Sequence, residues 1–149
     1  MSPAQALALR DRLGWTSSPT DEEMFTTDHD LEEKDASFTI IKREQTVASF
    51  NMSLTSRIPK DVMDEAVPIT ERAFDAYVEA LTAVYGRGDR SRSRGVLSVT
   101  WTLPSDTSVE IGTVGRVVSV DVTSPAGNEA ARGEAQYFDE IADENDPAR

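Results

Sequence analysis

Five carboxylates fall within eight positions of the segment DHDLEEKDA: Asp28, Asp30, Glu32, Glu33 and Asp35. Side chains of this type and spacing can ligate a hard cation, serve as acid and base, or attract a cationic partner. The cation reading meets a specific test. A calcium loop starting at Asp28 would place Asp30 and Glu32 at its third and fifth positions, but its sixth needs a glycine and its twelfth a bidentate glutamate. The sequence has Glu33 and Thr39 there, so no metal is assigned. His29, the sole histidine, lies among these carboxylates. They favour its protonated form, which is wrong for a base acting near neutral pH. A Ser/His/Asp triad has no other histidine to use. Neither common phosphate-binding glycine loop occurs, since Gly86-Arg87-Gly88 supplies two glycines without the rest. Cysteine is absent, which removes disulfides, thiolate metal sites and a cysteine nucleophile. The chain reads as non-catalytic and without a cofactor.

The elements that would position these residues follow from periodicity. Ser2-Pro3 is a helix opening, with Leu7, Leu9 and Leu13 after it, a stop at Gly14, and Trp15 closing over the core. Met24 to Thr27 reads as a short strand. The acidic segment is then a surface loop leading into a hairpin, with Leu31 as its one apolar anchor. SFTIIKRE and TVASFNMSLTSRIP alternate with period two and turn near Gln45 and Thr46. Phe74, Tyr77, Val78, Leu81, Val84 and Tyr85 recur at helical spacing, with Pro68 at or just before the helix start and Gly86 as the stop. GRGDRSRSRG reads as a loop. Three more strands follow around Leu97–Leu103, Val109–Ile111 and Val118–Val122. Asn128 is expected to cap a last helix through Tyr137, Phe138 and Ile141. The expected fold is α+β in the order α-β-β-β-α-β-β-β-α, the first strand being the weakest. It has an antiparallel sheet of five to six strands with helices on one face. One domain spans 1–142, and 143–149 form a frayed acidic tail.

Charge narrows the class of partner. Twenty-seven acidic residues against 15 basic ones give a net charge of −12. Such a surface repels nucleic acid and anionic membranes and attracts basic proteins. Residues 87–94 carry four arginines against Asp89, a local +3, so the rest of the chain carries −15. The acids gather in two blocks, 21–35 and 129–146. Blocks of one sign cost stability through self-repulsion, and complementary fields between partners raise association rates. The N-terminal MSPAQALALRDRLGW lacks the basic flank and apolar run of a signal peptide, and no apolar window reaches membrane-spanning length. A soluble cytoplasmic protein is expected.

FDAYVEALTAVYGRG, followed by a loop and VTWTLPSDTSVEIGTVGRVVSVDVTSP, resembles small acidic actinobacterial proteins of unassigned function that accompany polymorphic toxins and are taken to be their immunity proteins. The shared look is a helix ending in YG, a strand holding Trp101, a turn, and two apolar strands. It covers roughly a third of the chain and is fold-level. The N-terminal half adds little beyond LGW at residues 13–15. The resemblance implies a protein that masks the basic active-site surface of a toxin domain. Partner contacts are expected at Asp28, Asp30, Leu31, Glu32, Glu33 and Asp35. Secretion-chaperone-like domains share the helix-plus-meander look and bind a client through an apolar groove instead.

Overall fold

The computed structural model describes residues 1–31 and 34–144, with side chains through residue 138. Its elements are α1 (Pro3–Arg12), β1 (Thr16–Ser17), β2 (Met24–Thr26), β3 (Ala36–Ile41), β4 (Thr46–Ser53), a 3₁₀ turn at Lys60–Val62, α2 (Met63–Tyr85), β5 (Asp89–Ser93), β6 (Val96–Thr102), β7 (Ser108–Thr113), β8 (Val118–Thr123) and α3 (Pro125–Glu144). The fold is α+β with one antiparallel sheet and three helices, as the alternation of the sequence implies. The sheet has eight strands rather than five to six, in the order β1-β2-β3-β4-β8-β7-β6-β5. Two strands were missing from the expected order. β1 is two residues long and too short to show a period. β5 is the arginine segment, which pairs with β6 from Asp89↔Thr100 to Ser93↔Val96 instead of looping out.

Register assigns the two faces. Phe38, Phe50, Val122, Val109 and Trp101 are partners in successive strands and so share one face. This apolar face carries two separate cores. Under α1, Ala6 packs with Phe25, Ala36, Phe38 and Val47, and the partly buried Trp15 and Phe50 join them. Under α2, Phe74 packs with Val99, Trp101, Ile111 and Val118. The opposite face reads Ser37, Asn51, Asp121, Glu110, Thr100 and Asp89 straight across six strands.

Local chemistry explains the helix ends. Ser2 and Gln5 form a capping box with Pro3 behind it, satisfying two of the orphan N–H groups of the first turn. α2 starts at Met63, so Pro68 lies inside it and not at its start. The chain tolerates this because the ring interrupts only the second turn, where one backbone bond is lost. Gly86 takes φ 80° and ends α2. α3 opens one turn earlier than expected. Ser124 Oγ accepts from Gly127 N at 3.1 Å, so Ser124 caps the helix and Asn128 serves another purpose. Asn128 Nδ2 donates to Asp106 O at 2.7 Å, and Arg132 binds the Asp106 carboxylate at 2.8 and 3.2 Å. From Glu129 to Phe138 every residue of α3 is exposed. α3 runs through Glu144, past the expected start of a frayed tail at 143.

Candidate functional site

The acidic segment divides into residues with different tasks. Asp35 is buried, at 4% exposure. Its carboxylate accepts from Thr27 N at 2.7 Å and from Thr27 Oγ1, pinching the base of the loop shut. Its backbone oxygen accepts from Ser53 N. Asp35 therefore offers no charge to a partner from this position. Asp28 and Asp30 are exposed, and Asp30 adopts φ 55°, a left-handed turn that Asp accepts more readily than most residues. Asp28 accepts from Trp15 Nε1 at 3.1 Å and lies 3.4 Å from His29 Nδ1. A backbone hydrogen bond, then the Trp15 indole and His29, hold its carboxyl below the ordinary range. Leu31 is half-buried beside Ser53 and Thr55, which makes it an anchor to the body. Glu32 and Glu33 lie outside the described residues.

The open face of the sheet supplies a second acidic feature. Glu110 and Asp121 are directly opposite on β7 and β8, where like charges are unfavourable. Thr100 Oγ1 donates to Glu110 Oε2 at 2.8 Å, and Asn51 hydrogen-bonds Asp121. Burial pushes the Asp121 carboxyl above its ordinary value, and the charge on Glu110 adds to this against the lowering effect of Asn51. Among the described residues no lysine or arginine pairs with either carboxylate. α1 and α2 cover the other face, while the first turn of α3 meets this one at Thr123 and Ser108, and Glu110 and Asp121 on it are half-buried. The alternation of TVASFNMSLTSRIP sets Asn51 on the face opposite Phe50 and Met52, but Glu110 and Asp121 were not among the residues expected at the site. The strict alternation around Val109–Ile111 and Val120–Val122 was the available signal. Which strands were neighbours was not, because β4 and β8 are nearly 70 residues apart.

Two of the four arginines of residues 87–94 are engaged within the chain. Arg90 lies 5.6 Å over the Phe74 ring and 3.4 Å from Asp75, and Arg92 approaches Glu71 at 3.9 Å. Glu71 and Asp75 are four apart on α2, so one helix face meets one strand face.

The apolar face is not fully covered. α1 and α2 sit on opposite halves, and a groove remains between them. Two cavities of about 280 and 380 Å³ share Thr107 and Val122. Leu9, Leu13 and Trp15 wall one, and Tyr77, Leu81 and Tyr85 wall the other. The indole of Trp15 thus lines the groove while its N–H holds Asp28, joining the apolar floor to the acidic loop.

Among the described residues no helix is long and apolar enough to cross a membrane, and no group of three or more His, Cys, Asp or Glu could hold a metal ion. No curated protein and no solved structure matches the chain. Residues 1–124, from α1 through the end of β8, match a family described as one of unknown function, DUF6301, and the chain belongs to that family.

Proposed function

We propose that the chain is a non-catalytic protein-binding protein that takes a basic partner, as an immunity protein does when it covers the active-site surface of its toxin. The observation that carries this reading is the Glu110–Asp121 pair. Two half-buried carboxylates stand opposite each other on the polar sheet face, and among the described residues no lysine or arginine pairs with either, an arrangement that costs the free protein stability. A lysine or arginine from a partner would lie between both and relieve that cost. Asp28 and Asp30 extend the acidic surface beyond the sheet. The excess of acid over base, −12 in all, gives the long-range field that speeds such an encounter. The direct test is co-expression with the product of a neighbouring toxin-like gene, reading survival and complex formation. Survival above an empty-vector control, lost in Glu110→Lys with Asp121→Lys, is the expected result. Survival no better than the control defeats the proposal.

A second reading, a chaperone for a secreted effector, is favoured by the apolar groove between α1 and α2. A client held there would be bound mainly by apolar contact, so its affinity would change little with salt. An inhibitor docking through carboxylates would lose affinity steeply as salt rises.

A further inference from the structure

We propose that two copies of the chain form a two-fold dimer in which α3 of each seats its Tyr137–Phe138 pair in the groove of the other. The helix presents the donor. Tyr137 and Phe138 are 60% and 59% exposed, with ring centroids 5.9 Å apart in an edge contact. Two adjacent large aromatics thus stand open to solvent in a single copy. The groove presents the acceptor. An apolar cavity of roughly 150 Å³ admits a benzene molecule, so the 280 Å³ cavity has room for about two rings.

Donor and acceptor sit at the same end of the molecule. Ser49, Thr123, Ser108 and Thr102 are register partners, which places the start of β4, the end of β8 and the β6–β7 turn together. Ser124 both caps α3 and lines the groove. Thr107, which lines both cavities, follows Asp106, the residue that anchors Asn128 and Arg132. Phe138 is six residues past Arg132, on the order of 9 Å along the axis at 1.5 Å per residue. Tyr137 and Phe138 are exposed and line neither cavity of their own copy. A second copy facing this end receives it at that reach, and the exchange is reciprocal, as a two-fold interface requires.

Charge agrees. Residues 125–144 hold six carboxylates against Arg132 alone. The β3–β4 turn at the same end exposes Lys42 and Arg43, and neither is in an ion pair among the described residues.

The test is analytical ultracentrifugation of the full chain across the micromolar range. A concentration-dependent dimer is expected, and Tyr137→Ala with Phe138→Ala should weaken it at least about tenfold, roughly 1.4 kcal/mol, with the far-ultraviolet circular dichroism unchanged. Thr107→Trp, which fills the groove mouth from the acceptor side, should do the same. A photo-crosslinking side chain at position 138 should join to Leu9, Leu13 or Val122 of a second copy. The alanine pair and the crosslink map decide the matter even if Thr107→Trp does not fold. A wild-type monomer throughout, a dimer indifferent to the alanine pair, or crosslinks mapping away from the groove would each overturn the proposal. So would a monomer whose groove is filled by an added apolar client peptide.

Discussion

Asp28 and Asp35 lie seven positions apart in one acidic segment and do opposite things. Asp35 is inside, satisfying Thr27 twice. Asp35→Ala removes that acceptor and leaves a buried N–H unpaired, so urea unfolding should register a loss of about 1–3 kcal/mol. Asp28→Asn changes an exposed group and should stay within about 0.5 kcal/mol. Equal effects would mean that the loop is not pinched at Asp35. Asp121 contributes a pH dependence of its own. Its carboxyl is raised in the folded state by burial first and by Glu110 second. The unfolded carboxyl titrates near 3.8, so above that value the folded state retains the proton longer and binds more protons than the unfolded one. Stability contributed by the protonated form is therefore lost as pH rises through the folded value. Asp121→Asn should raise the melting temperature at neutral pH, and the gain should vanish near about pH 3, where the wild-type carboxyl is protonated in both states. A gain equal at both pH values would mean that packing, not charge, is responsible.

At the scale of elements, what the sequence discloses is what local periodicity can carry. β6, β7 and β8 alternate cleanly, and β3 and β4 do so apart from one register shift between Thr39 and Ile40. α1 and α2 show their caps and stops at Ser2, Gly14 and Gly86. β5 was hidden because DRSRS has no apolar residue. Its alternation is of another kind: Arg90 and Arg92 turn toward α2, while Asp89 and Ser91 turn away, so the strand is an edge whose charge discourages pairing with other chains. The candidate site was less legible than the fold. Asp28 and Asp30 stood out by density, but the Glu110–Asp121 pair arises only when β7 meets β8 on a face whose orientation the β4–β8 pairing fixes. Gly88 shows the same limit. In the sequence it looks like part of a chance Arg-Gly-Asp tripeptide. In the fold a Cβ there would stand 2.6 Å from Val99 Cγ1 and 2.8 Å from Trp101 Cε2. Trp101 is fixed in turn, since its Nε1 donates to Gly86 O at 2.8 Å. Gly88→Ala must push the α2–β5 connection off the core, and denaturant titration should find a cost of about 1–3 kcal/mol, the usual range for overpacking. A neutral result would show that this connection shifts freely.

The molecule as a whole is two apolar cores joined along one seam. The half under α1 and the half under α2 meet where β4 pairs β8, from Ser49↔Thr123 to Ser53↔Ser119. Stability rests on these cores and on the seam, and among the described residues α3 meets them through its first turns. Gly127 packs against Ala48 and Thr123, Asn128 binds Ser108 and Asp106, and Arg132 binds Asp106. Beyond Arg132 the described helix residues through Phe138 are exposed. Ending the chain after Arg132 should therefore change the unfolding free energy by no more than about 0.5 kcal/mol, measured at concentrations dilute enough for the chain to be monomeric. Ending it after Ser124 also removes the Asn128 and Arg132 contacts, and a further loss of about 1–2 kcal/mol should follow, as expected for a few hydrogen bonds partly open to solvent. The order of the two losses is the informative result. If the cut after Arg132 cost as much as the cut after Ser124, α3 would be holding the body together along its length, and an exposed donor helix would be the wrong description of it.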